Sequence, residues 1–168
     1  MASLEKSTLS SPWVLYEHPA GTSDWSLSSY KQITKVTKKE EVASLIRSMA
    51  MDKDHVTGSY LCFMRDGVAP VYESKENKEG GAITIRFSLE HAKSFWMMFI
   101  AHAVCEDILI PNETHTSDII HGIIISPKRG NIIIQIWTKK TISKDDLNPI
   151  LKLSIPGDIF YRPHYERL

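Results

Sequence analysis

The chain has no surplus of charge: 20 lysines and arginines offset 20 aspartates and glutamates in 168 residues. Without a global positive field, phosphate contacts alone cannot hold generic nucleic acid, so any RNA partner must be read locally. The cysteines, Cys62 and Cys105, are only two and sit inside apolar stretches. The N-terminus has neither the basic start nor the apolar run of a secretory signal, and a reducing, cytoplasmic setting is expected. Nor is there a run of roughly 20 apolar residues to cross a bilayer. The richest stretch, Phe95 to Ile110, is interrupted by His102, Glu106 and Asp107, which predicts a soluble protein with no membrane partner.

Metal and catalytic signatures are equally scarce. Of seven histidines, His102, His115 and His121 lack compact ligand spacing, and no paired cysteines complete a zinc set. His102 and Cys105 stand three apart in an apolar stripe, a spacing that packing explains as well as thiol chemistry does. There is no glycine-rich anion cradle or nucleophile elbow. No metal, cofactor or catalytic step is expected.

What the chain does have is 42% apolar composition, enough for one core. Residues 1–11 read as a flexible leader and 12–168 as a single domain. Extended runs are predicted at Trp13 to Glu17, Trp25 to Val36, Ser59 to Arg65, Val68 to Glu73, Ala82 to Phe87, Ile119 to Ser126 and Ile132 to Thr138. Asp66-Gly67 suits a tight hairpin turn, and Pro127 to Asn131 suits a hairpin with a basic tip. Ser74 to Gly81 reads as a flexible connection. Amphipathic helices are expected after Thr37, with a Thr-x-x-Glu start and an end near Met51, and from Ser88 to about Asp107. A short last helix fits Asp145 to Leu151. Strands joined by hairpins, with helices between them, favour an α+β antiparallel sheet with helices on one face and the other face free for a ligand.

Three weak signals would suit one ligand. Trp25 lies among polar neighbours and could be an exposed stacking platform, although burial is the default use of tryptophan. Glu73, following Tyr72, is by default a solvated acid. Lys128 and Arg129 at a hairpin tip are by default a solvated turn and otherwise an anion site.

Taken in order, Trp13-Val14-Leu15-Tyr16, Trp25, the run Phe63 to Glu73, Asn77-Lys78-Glu79-Gly80-Gly81, Phe95-Trp96, Gly122 and Ile136-Trp137 form a set. From about Trp13 to His164 the chain resembles the translation initiation factor 4E family. The resemblance implies a curved antiparallel sheet of about eight strands with three helices on its convex face, and a slot for the 7-methylguanosine cap of mRNA on the concave side. By this similarity Trp25 and Tyr72 sandwich the cationic base, Glu73 accepts from the guanine N1 and N2 donors, Trp137 lies against the N7 methyl, and Lys128 and Arg129 meet the triphosphate.

The chain also departs from the family. Tyr72 replaces a usual tryptophan, which predicts a weaker cation–π grip. Ser59 and Ala82 stand where family members carry an acid and an arginine, which predicts either weaker phosphate binding or phosphate binding carried instead by Arg162 or Arg167. Family members hold an initiation factor 4G-like scaffold on the helical back. Here Ala43 replaces the anchoring tryptophan and Lys39 its valine neighbour, while Met97 and Ala101 replace leucines, which predicts weak or altered scaffold binding. The expected role is cap binding in translation initiation. The alternatives are a cap-binding repressor that does not recruit the scaffold, and an interaction module with a degenerate slot.

Overall fold

The computed structural model describes residues 7–51, 58–108, 119–143 and 155–167. Seven strands run through them: β1 (Thr8–Pro19), β2 (Lys31–Lys38), β3 (Ser59–Arg65), β4 (Gly81–Phe87), β5 (Ile120–Lys128), β6 (Asn131–Thr138) and β7 (Ile159–Pro163). All pairings are antiparallel, in the order β2-β1-β3-β5-β6-β4-β7. Two α-helices, α1 (Lys39–Met51) and α2 (Leu89–Cys105), accompany them.

This corrects the expected curved sheet of about eight strands and three helices. The sheet is open, with β2 and β7 at opposite edges, and is not strongly curled. Among the described residues there are seven strands and two α-helices. The predicted helix at Asp145 to Leu151 lies outside the described residues. The missing strand is Val68 to Glu73, which is turn and bend rather than ladder. Pro70 has no N–H to offer a ladder. The side chain of buried Asn77 donates to the carbonyls of Ala69 (2.7 Å) and Val71 (2.8 Å), capturing acceptors that a neighbouring strand would need. The Asp66-Gly67 turn forms, with Gly67 at φ 81° and Val68 N–H donating to Arg65 C=O, but the chain then crosses the sheet face instead of pairing.

Other boundaries shift less. β1 begins at Thr8, ahead of Trp13 where the apolar pattern starts, because Thr8 pairs with Lys38 of β2. Trp25 to Tyr30 form a loop with one turn of 3-10 helix, and β2 starts only at Lys31. At the start of α1 it is Glu41, one residue beyond the Thr-x-x-Glu spacing, whose carboxylate accepts from the backbone N–H of Thr37 (2.6 Å) and Lys38 (3.1 Å). Those bonds hold its pKa below the ordinary glutamate value.

Strand alternation divides the sheet into two faces. Leu15, Phe63, Ile83, Ile85, Ile123, Ile125, Ile134 and Ile136 join Trp96, Phe99, Ile100 and Ala103 of α2 and Val42 of α1 in the main core. Cys62, Met64, Ala82, Ile124 and Trp137 point the other way and pack with Tyr16, Tyr30 and Tyr72. Helices therefore cover one face and leave the other available. The sheet is tied to the end of α2 by a buried ion pair, in which both Arg65 Nη1 and Nη2 donate to Glu106 at 2.8 Å. Arg65 also donates to Ile120 C=O and Ser11 Oγ and lies over the Trp13 ring.

Candidate nucleotide-binding cleft

The uncovered face carries a cleft of about 630 Å³ whose lining includes Trp25, Tyr72, Glu73, Lys128 and Trp137. Five of the six residues expected at the site thus come together from four separate stretches of chain. Each arrives by a different device.

Trp25 stands on the loop between β1 and β2 and is 48% exposed. The fully buried imidazole of His18 stacks on it, with centroids 4.2 Å apart and planes 3° from parallel, and Tyr60 meets its edge at 5.0 Å. His18 Nε2–H donates to the carbonyl of Asp24, fixing the loop from beneath. Asp24 accepts from Ser26 N–H, and hydrogen bonding by Ser26 holds the aspartate pKa below its usual value. One face of the indole is backed by protein, and nearly half of its surface stays open.

Tyr72 and Glu73 ride on the loop that replaced the expected strand. Asn77 anchors it by the two carbonyl bonds already described, and its Oδ1 accepts from buried His121 Nδ1 at 3.0 Å, which sets that imidazole's tautomer. The stretch Ser74 to Gly81, expected to be a flexible connection, is therefore pinned at its centre. Gly80 and Gly81 are required by crowding: a Cβ on Gly80 would lie 1.8 Å from Thr138 C=O, and one on Gly81 2.3 Å from the Tyr161 hydroxyl. Tyr72 lies parallel to His164 at 6.3 Å, and Glu73 is exposed at the rim.

Trp137 forms part of the floor and is 4% exposed. Its Nε1–H donates to Gln135 Oε1 at 3.2 Å, and its ring meets His164 edge-on at 4.7 Å. Nearby, burial pushes the Tyr30 phenol and the Cys62 thiol well above their ordinary pKa values, so both stay protonated. A neutral aromatic slot with an acid and a lysine at its rim suits a flat, cationic, phosphate-bearing ligand.

Arg129 is the residue the structure sets apart. It occupies the two-residue turn between β5 and β6 at φ 33°, followed by Gly130 at φ 82°, and opens on a recess beside the cleft with Arg86, Lys128 and Asn131. Lys128 borders both spaces. Arg162, one of the two arginines named as an alternative phosphate carrier, is engaged with Glu166, donating to its carbonyl at 2.6 Å.

Sequence comparison decides the family. The chain matches the family model described as eukaryotic initiation factor 4E over residues 8–166. It belongs to the initiation factor 4E family. It is 28% identical over 114 residues to the eukaryotic translation initiation factor NCBP of Arabidopsis thaliana, covering 62% of this chain and 48% of that protein. With eukaryotic translation initiation factor 4E of Xenopus laevis it shares 22% over 149 residues, covering 86% and 68%. The aligned part thus spans about half the length of the NCBP relative. In fold it is similar to eIF4E-3 of C. elegans, solved with the 4E-binding protein Mextli and a cap analog, at a TM-score of 0.80, 20% identity and coverage of 96% and 94%. A schistosome eIF4E, solved with m7GpppG and 4E-BP, superposes at a TM-score of 0.78, 15% identity and coverage of 96% and 90%. Members of this family are non-catalytic cap-binding factors of protein synthesis, and by that membership the chain is not an enzyme.

Sequence reasoning about this initiation factor 4E member missed His18, His164, Asn77 and Gln135. All four are buried or half-buried polar groups, and for His18 and Gln135, which lie on strands, the mismatch with an apolar pattern was the only local signal. On the helical back, Lys39 and Ala43 are exposed on α1, and Met97 and Ala101 are half-buried on α2.

Proposed function

We propose that the cleft binds the 7-methylguanosine cap of mRNA and that the protein acts in cytoplasmic translation initiation. The observation that carries this is the convergence of Trp25, Tyr72, Glu73, Lys128 and Trp137 on one cleft of the uncovered sheet face. The methylated base is cationic, and it enters between the open surface of Trp25 and Tyr72. Each aromatic face contributes on the order of 1 to 3 kcal/mol. Glu73 accepts from the guanine N1 and N2 donors in a charge-assisted pair. Trp137 supplies the floor against the methyl group, and Lys128 takes the first phosphates, with Arg129 next along the chain of phosphates.

Titration with 7-methylguanosine triphosphate and with GTP, followed by tryptophan fluorescence, tests this. Binding of the methylated ligand alone, lost in Trp25→Ala and Glu73→Ala, is expected. Equal responses to both nucleotides would refute it.

The exposed Ala43 and Lys39 favour a second reading, that of a cap-binding repressor. Partner helices are held by buried aromatic anchors, and this part of α1 offers none. An initiation factor 4G-like peptide should bind weakly in a pull-down, and tethering the protein to a capped reporter should lower its translation. Tight scaffold binding with stimulated translation would restore the initiation role.

A further inference from the structure

The uncovered face continues past the cleft. Register sets Thr84 of β4 opposite Gln135 of β6 on one side and Phe160 of β7 on the other. Cross-strand partners share a face. Ile159 and Tyr161 pack against the helix-side core, so Phe160 points to the uncovered side. It is 61% exposed, more than any other large apolar side chain among the described residues. Gln135, which lines the cleft, donates to Thr84 Oγ1 at 3.1 Å, making a continuous rung from the cleft floor to Phe160. Two strand spacings, about 10 Å, separate Gln135 from Phe160.

One rung along, Arg86 lies opposite Ile133 and borders the recess of about 470 Å³ with Lys128 and Arg129. No carboxylate of a described residue forms an ion pair with these three cations. In a chain of zero net charge they are a local positive site, and they adjoin an exposed aromatic ring. Single-stranded nucleic acid is held by such pairs, with bases on rings and phosphates on cations, whatever the base identity.

We infer that this patch is a second nucleic-acid subsite. Phe160 stacks the base of a nucleotide following the cap, and Arg86 with Arg129 holds phosphates of the same strand. Continuity with the cleft through Lys128 and Gln135 sets where the strand enters, and to that extent the inference rests on the cap reading. Its recognition is of single-stranded RNA as a class, without base preference.

The test compares 7-methylguanosine triphosphate, a short capped RNA and the same RNA uncapped, against the native chain, Phe160→Ala, Phe160→Trp and Arg86→Ala. Capped RNA should bind at least fivefold tighter than the triphosphate. Phe160→Ala and Arg86→Ala should abolish that advantage while leaving triphosphate affinity and melting temperature unchanged, and Phe160→Trp should keep it. Arg86→Ala should also reduce the salt slope for capped RNA by about 0.7. Capped RNA that binds no tighter than the triphosphate, or an advantage untouched by both alanine variants, would overturn the subsite. So would a change of oligomeric state in Phe160→Ala as its only effect, since the ring would then serve contact between copies. If the native chain binds no methylated nucleotide, the cap reading fails by itself. Uncapped RNA then decides the subsite: weak binding that depends on Phe160 and Arg86 keeps it, and no binding overturns it.

Discussion

The imidazole of His18 lies flat beneath the indole of Trp25, 4.2 Å away and 3° from parallel. A base that stacks on Trp25 therefore rests on a ring that is itself supported, so less side-chain freedom is lost on binding. His18→Ala should open a cavity under the indole and weaken methylated-cap binding by about tenfold, matching the worth of one aromatic pair. His18→Phe keeps a ring there and removes the buried Nδ1, which has no hydrogen-bond partner, so its affinity should stay within a fewfold of native. Parallel fluorescence titrations and thermal melts of the two variants check this. A loss in His18→Phe as large as in His18→Ala would show that the bond to Asp24, and not the stacking, positions the loop.

Asn77 holds the loop of Tyr72 and Glu73 by bonds to Ala69, Val71 and His121. Asn77→Asp turns a donor toward the two carbonyls into an acceptor, leaving buried polar groups unpaired at about 1 to 3 kcal/mol each. The variant should lose cap binding and show faster amide exchange from Val68 to Gly81. Unchanged exchange in that segment would remove the anchoring role.

The Arg65–Glu106 pair joins β3 to the end of α2, with side chains only 10% and 15% exposed. Removing the charge with Glu106→Gln leaves a buried guanidinium underpaired, and stability in urea should fall by about 3 kcal/mol. Replacing both residues with apolar ones of similar volume should cost less than the single change. A Glu106→Gln midpoint equal to native would contradict this.

Glu41 binds its proton more weakly in the folded state than its ordinary value of 4.5, because the N–H groups of Thr37 and Lys38 donate to it. Its contribution to stability is complete above that value and is lost as pH falls through the depressed folded pKa. Glu41→Gln should therefore melt lower than native near neutral pH and converge with it in acid. Parallel melting curves across pH would rule out this contribution of Glu41 at the start of α1.

Much was legible in the sequence because it is set by neighbours along the chain. Isoleucine-rich runs from Ile120 to Ile136 give β5 and β6, helical spacing of Trp96, Phe99, Ile100 and Ala103 gives α2, and Ile123, Ile125, Ile134 and Ile136 meet that helix in the covered core. The ordered aromatics and the run from Phe63 to Glu73 pointed to the family and to five residues that meet in one cleft. Tertiary structure alone decided that Val68 to Glu73 is a loop, in which Asn77 of the following stretch takes the carbonyls of Ala69 and Val71. It alone put His18 under Trp25, His164 beside Tyr72 and Trp137, and Arg129 outside the cleft. Periodicity records which face a side chain takes within its own strand. Which distant side chain it meets there depends on strand order and register, which arise only when all seven strands pair.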